Sequence, residues 1–230
     1  MEATITGYCS SSAITQVVEL VYPILPTIFL ALKRVDENVE TLSSQVSLVT
    51  IREALAAVFG AQVNSDSTLL KQLALALEYL RAAGDKQNRA VAYLLTFAAI
   101  ESLICYKDFG FGETKQLKDW VPTLLQPVPS KRKNHRNAVE ELYKIRCCIA
   151  HGSQFSTSAE QLDSASNLAS ALLVGVCHWI DYCRQNKHLG AKFELNKEDK
   201  RRFVNFLNSS RNDGEVVCGI PDLSALLPTD

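Results

Sequence analysis

A long apolar run in the middle of the chain constrains the fold more than any other feature. The segment RAVAYLLTFAAIESLICYK, residues 89–107, is apolar on nearly all sides and carries a single acid, Glu101. A helix that is apolar all round has to be surrounded by other elements, so this segment predicts the central helix of a bundle. Its neighbours along the chain repeat apolar residues at helical spacing, and no strand pattern of any length competes. The sequence therefore predicts an all-α fold.

Start and stop residues place further helices on both sides of this run. An amphipathic helix over residues 69–83 is ended by Gly84, and later helices are predicted over 137–150, 160–186 and near 197–208. Each segment repeats apolar residues at intervals of three or four, which is the spacing that one buried helix face requires. We therefore expect several helices to pack around the central one.

The stretch before residue 137 lacks this pattern. Residues 109–136 contain glycines, three prolines and a basic cluster, so they predict a long loop with one short helix before Trp120. We interpret residues 61–188 as the main helical domain, 1–60 as helices packed on it, and 189–230 as a short C-terminal appendage.

Charge and cysteine content exclude several classes of protein. The chain has 24 basic and 25 acidic residues, so no overall positive field exists to hold long nucleic acid nonspecifically. Its seven cysteines are an odd number without Cys-x-x-Cys spacing, which is typical of reduced core residues rather than of a disulfide framework or zinc site. The apolar stretch at 13–32 carries Glu19 and two prolines, which argues against a membrane span or signal peptide. We expect a soluble, cytoplasmic protein without a membrane partner.

The segment YKIRCCIAHG, residues 143–152, is the candidate functional site. It places Arg146 and His151 in an otherwise apolar helical run, where charge is costly unless it is paired or used. A helix advances about 100° per residue, so the two side chains lie roughly 140° apart and do not share one face of an ideal helix. Two arrangements could bring them together. The helix could end or distort at His151, as a following Gly152 would allow, or two copies of the helix could meet across a symmetry axis.

This pair of residues suits cleavage of a phosphodiester. An imidazole titrates near neutral pH and can take or return a proton, whereas a guanidinium stays charged and binds phosphate oxygens. In RNA the substrate supplies its own nucleophile, the 2′-hydroxyl, so no metal is required. Structural interpretations also exist: His151 with Gly152 could simply end a helix, and Arg146 could form an ion pair with Glu101.

The segment LYKIRCCIAHGS, residues 142–153, resembles the motif of HEPN domains, which are all-helical modules that carry an arginine followed four to six residues later by a histidine. The Tyr-x-x-Arg and Ile-x-His-Gly pattern is most similar to the ApeA-like branch of that superfamily. In that branch an apolar helix with an acid precedes the motif, and FAAIESLICYK, residues 97–107, is similar and places Glu101 at that position. The resemblance covers roughly residues 60–185.

The resemblance implies both a fold and an activity. HEPN domains dimerise through the motif helices, and many are metal-independent endoribonucleases of toxin–antitoxin pairs, anti-phage defence or RNA processing that leave a 2′,3′-cyclic phosphate. It implies an HEPN-like homodimer that cuts RNA without a cofactor or metal, as a toxin or defence effector with an antitoxin or defence-system partner. Carried over, Arg146 and His151 are the catalytic pair, and Glu101 is a third member that orients a motif side chain.

Other motif positions qualify this picture. Tyr143 and Gly152 match the motif, whereas Cys147 departs from it, because many members have a polar Asn, Asp, His or Ser after the arginine. A thiol is a weak hydrogen-bonding group. The alternative to an enzyme is therefore a catalytically inactive HEPN-like module for dimerisation, RNA binding or regulation.

A basic cluster lies just before the predicted motif helix. If its charges lie near one end of the cleft, they could gather RNA phosphates. The alternative is a solvated charged face, which is what most such runs are. The candidate RNA-binding residues are Lys131, Arg132, Lys133 and Arg136.

Overall fold

Six α-helices and one 3₁₀ turn form the part of the chain that the computed structural model describes, which is residues 67–107, 112–126, 128–185 and 197–210. The helices are α1 (Thr68–Gly84), α2 (Arg89–Ile104), α3 (Glu113–Leu125), α4 (Arg132–Ala150), α5 (Ala159–Gln185) and α6 (Asp199–Ser210), and the 3₁₀ turn is Pro129–Lys131. No strand occurs in these ranges, so the predicted all-α fold is confirmed.

Several sequence predictions fall on other residues. The N-terminal helices expected within residues 1–60, the apolar stretch at 13–32 and most of the appendage at 189–230 lie outside the described residues. Among the helices that are described, none combines the length and the apolar character that crossing a membrane requires. The five cysteines in the described part are free thiols: Cys105, Cys147, Cys148, Cys177 and Cys183.

Helix α2 occupies the centre of the bundle, as its sequence predicts. It contacts α1, α3, α4 and α5, and its side chains Phe97, Ile100 and Leu103 are fully buried. Burying one such side chain contributes about 1.5–3 kcal/mol relative to leaving it in water. The buried Tyr93 hydroxyl donates to the backbone carbonyl of Leu142 in α4 at 2.7 Å, so its polar end is satisfied. This bond ties the central helix to the motif helix.

The expected long loop before the motif helix is mostly helical, and this prediction is corrected. Helix α3 has 13 residues and continues through Pro122, and α4 begins at Arg132 rather than at residue 137. The glycines and prolines predict a loop, but α3 buries a complete apolar face, and this burial outweighs the cost of an internal proline. The buried apolar side chains on α3 are Leu117, Trp120, Val121, Leu124 and Leu125.

Helix α6, predicted near residues 197–208, is part of the main core. Its side chains Phe203, Val204 and Leu207 are fully buried, and the Trp179 ring of α5 meets the Phe203 ring edge-on at 5.0 Å. The buried Asp199 carboxylate accepts the backbone N–H of Leu69 at 2.8 Å. Helix α6 therefore joins the bundle at the start of α1.

Candidate functional site

Helix α4 carries the motif and runs unbroken to Ala150. It contains no glycine or proline, and it packs on the core through Val139 and Leu142. Tyr143 extends this contact, because its ring lies 6.3 Å from the Phe97 ring of α2 between centroids. The last turns of α4 are thus fixed against the central helix, while most of their side chains are only half-buried.

Arg146 and Glu101 form an ion pair between α4 and α2. Arg146 Nη2 donates to Glu101 Oε2 at 3.1 Å, and Arg146 Nε lies 3.0 Å from Glu101 Oε1. The side chains are 26% and 18% exposed, so the pair is partly shielded from water. The guanidinium carbon also lies 5.7 Å from the centre of the Tyr143 ring, within cation–π range. The structure thus brings together the arginine and the acid that the sequence singles out.

Burial and charge act in opposite directions on this pair. Burial raises the pKa of Glu101, the neighbouring Arg146 lowers it, and Glu113 adds a smaller raising effect. For Arg146, burial lowers the pKa, but the charge and hydrogen bond of Glu101 outweigh burial and raise it. The arginine is therefore a fixed cation, and it is the main influence that favours the ionised form of Glu101.

His151 is the residue at which α4 ends. Its N–H donates to the carbonyl of Cys147 at 2.9 Å, and the backbone then turns at Gly152, whose φ is +73°. Ser153 N donates to Cys148 O at 2.9 Å and Gly152 N to Ile149 O at 3.1 Å, which together form a Schellman motif. The imidazole is exposed, at a helix C-terminus where a positive charge is favourable.

The structure does not bring Arg146 and His151 to one face of the chain. Because α4 stays helical through Ala150 and His151 has a φ of −94°, the end of the helix does not redirect the imidazole. The two side chains therefore keep the roughly 140° separation of an ideal helix. Arg146 is held toward α2 and His151 is exposed to solvent. The arrangement in which two copies share a cleft stays a prediction.

Tyr143 and Cys147 contact each other one turn apart on α4. Burial raises the pKa of Tyr143, whose hydroxyl also interacts with the side chains of Thr114 and Cys147. Cys147, the position that departs from the motif, is half-buried beside this hydroxyl. Thr114 is not singled out by the sequence, because the segment that contains it reads as a loop. Its contact follows from the unexpected length of α3.

The basic cluster divides into one structural arginine and an exposed group. Arg132 is 2% exposed and donates to the carbonyls of Gln126 at 2.8 Å and Ser210 at 2.9 Å, so it joins the ends of α3 and α6. This buried position does not offer its guanidinium to RNA. Lys131 and Lys133 are exposed, and Arg136 lies 3.8 Å from the Asp119 carboxylate.

Lys133 shares a helix face with His151. The two residues are 18 positions apart, which is about five turns and roughly 27 Å along α4. A positive charge thus lies on the same side of the helix as the imidazole.

Glu101 also lines a cleft of about 780 Å³, which lies between α1, α3, α6 and the end of α2. Lys200 lines it and donates from its buried amine to the carbonyls of Ser102, at 2.9 Å, and Leu103. Burial lowers the pKa of Lys200 to about 7, and burial raises the pKa of the neighbouring Cys105 to about 12. The amine thus binds two of the last carbonyls of α2 and stabilises the helical turn that carries Glu101.

Comparison with known proteins finds no matching family model, no similar curated protein and no matching solved structure. The HEPN resemblance therefore rests on the motif residues themselves. Of these, Arg146 and Glu101 are in contact, Gly152 has the left-handed conformation that glycine favours, and His151 is exposed.

Proposed function

We propose that the protein is a metal-independent endoribonuclease of HEPN type, which acts as a homodimer and uses the RNA 2′-hydroxyl as nucleophile. One observation carries the proposal: Glu101 holds a charged Arg146 on the same helix that ends in an exposed His151. A cation that binds phosphate and a side chain that can take and return a proton are the two groups that this reaction needs.

The reaction follows from the roles of these side chains. Neutral His151 takes the proton of the 2′-hydroxyl, the oxygen attacks phosphorus, and the P–O5′ bond breaks. Arg146 stabilises the negative charge that develops on the phosphoryl oxygens. A protonated imidazole returns a proton to the leaving 5′-oxygen, and the products are a 2′,3′-cyclic phosphate and a 5′-hydroxyl. Glu101 is a positioning residue, because it holds Arg146 and does not touch the phosphate.

A homodimer supports this chemistry better than one chain does. Within one chain Arg146 and His151 leave α4 in different directions, whereas a two-fold axis beside α4 would place Arg146 of one copy near His151 of the other. Ile145 and Ile149 on the motif turns pack against the core and stay partly exposed, and such an interface would cover their exposed part. Each dimer would then contain two composite sites.

Mixing two inactive variants tests this arrangement directly. We expect Arg146→Ala and His151→Ala each to fold, dimerise and abolish RNA cleavage in EDTA. A heterodimer of the two keeps one intact site, so equal mixing restores about a quarter of wild-type activity if subunits exchange freely. The control is Lys144→Ala, which removes an exposed charge from the same helix. Retained cleavage by purified His151→Ala would refute the mechanism, and a mixture that stays inactive despite proven subunit exchange would refute the composite site.

The second candidate is a catalytically inactive HEPN-like module that dimerises, binds RNA or regulates a partner. The observation that favours it is Cys147, a half-buried thiol at a position where many members of the family have a stronger hydrogen-bonding group. Incubating the protein with total RNA in EDTA separates the two. New ends that carry cyclic phosphate support the enzyme, and RNA left intact at high protein concentration supports the module.

The biological role we propose is that of a cytoplasmic toxin or anti-phage defence effector. An RNA-cutting activity of this kind requires control, so the proposal includes an antitoxin or a defence-system protein as partner. Growth arrest on expression of the wild type but not of His151→Ala would support it.

A further inference from the structure

Phe155 is an aromatic side chain held out into solvent beside the motif. It is 83% exposed, whereas the other exposed large apolar residues in the described part, Leu75 and Val91, are each 40% exposed. Leaving a phenylalanine in water forgoes the stabilisation that burial would give. An exposed aromatic ring next to candidate catalytic residues is therefore a candidate binding group.

The loop that carries Phe155 is anchored on both sides. Before the ring, Gln154 N donates to Cys148 O at 3.1 Å, and the Gln154 side chain donates to Ser156 O at 2.7 Å. After it, Ser158 begins α5 with a capping box: its hydroxyl accepts from Gln161 N at 3.2 Å, and its own N–H donates to the Gln161 side chain at 3.1 Å. The ring is thus presented by a hydrogen-bonded turn, which lowers the entropy that binding would cost.

The ring lies close to the end of the motif helix. A Cβ atom added at Gly152 would be 4.0 Å from Phe155 Cε1, so the ring edge lies over the residue that follows His151. A group that stacks on this ring would lie next to the exposed imidazole.

The surroundings of Phe155 favour a nucleobase over an apolar protein surface. The loop HGSQFSTS, residues 151–158, contains no carboxylate, and it supplies hydroxyl and amide groups that can bind phosphate or sugar oxygens. A protein interface needs a contiguous apolar patch, whereas the neighbours Ser153 and Ser156 are exposed and polar. A single flat ring among polar groups is the kind of platform on which an unpaired base stacks.

We propose that Phe155 stacks on an unpaired nucleobase and thereby selects single-stranded RNA as the substrate class. This inference rests on the proposed ribonuclease function and adds the group that binds the substrate. A base within a duplex is already stacked on its neighbours and cannot cover the ring, so duplex RNA should bind more weakly.

Binding to a non-cleavable RNA tests the proposal without requiring activity. The probe is a fluorescently labelled 12-nucleotide single strand with 2′-O-methyl groups throughout, compared with its duplex by fluorescence anisotropy. We expect Phe155→Ala to weaken single-strand binding about 5- to 150-fold, which is the usual effect of removing a stacking ring. Phe155→Trp should retain binding, and Phe155→Leu, which is apolar but not aromatic, should bind nearly as weakly as Phe155→Ala. Val91→Ala, which shortens an exposed apolar side chain elsewhere, is the control and should bind like the wild type.

The outcomes separate this inference from the proposed function. If the wild type binds RNA and Phe155→Ala or Phe155→Leu binds as tightly, stacking is refuted and the ribonuclease proposal is unaffected. If Phe155→Ala changes the mass measured by light scattering, the ring is a protein contact and the inference is overturned. If the wild type neither binds nor cleaves RNA, the proposed function fails and this inference fails with it.

Discussion

Replacing Arg146 by Gln should destabilise the fold, and the loss should be larger at pH 8 than at pH 5. At the 3.0 Å separation of Arg146 Nε and Glu101 Oε1, an effective dielectric constant of about 20 gives roughly 5–6 kcal/mol of attraction, much of which desolvation offsets. Exposed pairs contribute about 0.2–1 kcal/mol, and breaking a buried pair costs about 3–5 kcal/mol. For this partly shielded pair we expect a loss of about 2–3 kcal/mol at pH 8, between those limits.

The dependence on pH follows from Glu101. Burial already raises the pKa of Glu101 in the wild type, and without Arg146, which lowers it, burial and Glu113 raise it further. A carboxyl whose pKa is higher in the folded than in the unfolded protein gives most stability at low pH, and that stability is lost as the pH rises through the folded pKa. The slope is at most about 1.4 kcal/mol per pH unit. The variant should therefore recover part of its stability at pH 5, where Glu101 can bind a proton.

Urea denaturation followed by circular dichroism measures both effects in a double-mutant cycle. The cycle contains the wild type, Arg146→Gln, Glu101→Gln and the double variant, each at pH 5 and pH 8. We expect a coupling energy of about 1–2 kcal/mol at pH 8, and the double variant should lose the pH dependence seen in Arg146→Gln. Equal destabilisation of Arg146→Gln at both pH values together with zero coupling would refute the ion pair as a stabilising and positioning element.

Two further predictions concern the helix ends that hold the site. Lys200→Met should flatten the pH dependence of stability. Burial lowers the pKa of Lys200 to about 7, so between pH 9 and 7 the unfolded chain binds a proton that the folded protein does not. The wild type therefore loses stability as the pH falls toward 7, by up to about 1.4 kcal/mol per pH unit. Parallel stability curves for the two proteins would contradict this. Gly152→Ala places a side chain at a φ of +73° and should cost about 1–2 kcal/mol, or about 2–8 °C in Tm. Gly84→Ala, which meets no neighbour within 4 Å and has no positive φ, is the matched control and should not lower Tm.

Local periodicity predicts the helices well where one face or all faces are apolar. The ends of α1, α2 and α5 lie within three residues of the positions expected from sequence, because caps and breakers act locally. Helix α3 is different. Its glycine and proline neighbours predict a loop, whereas the burial of Trp120 and Leu124 against other helices favours a helix. The sequence near α3 does not show that packing, so it predicts a loop with only a short helix.

Burial of polar side chains is harder to predict than helices. Arg132 and Lys133 are adjacent in one basic run, yet Arg132 closes the end of α6 through Ser210 O and Lys133 faces water. The two side chains differ in burial because adjacent residues point to different sides of α4. The predicted start of α4, residue 137, is five residues too late, so the sequence places both residues in a loop. Glu101 and Arg146 are 45 residues apart, and their ion pair is one of the interpretations that the sequence allows, because Glu101 is the single acid of an apolar run and a shielded charge needs a partner.

The placement of the motif on α4 links stability to function through helix phase. The turns that carry Arg146 also carry Leu142, so rotating α4 to bring His151 inward would expose core side chains and break the ion pair with Glu101. Such a rotation would cost several kilocalories per mole, since it loses both apolar burial and a shielded ion pair. In the proposed homodimer, a second copy would supply the missing catalytic group without that cost, because it would approach α4 from outside. Helix phase is therefore a reason to propose a site that is completed by dimerisation, rather than one that is completed by a conformational change within the chain.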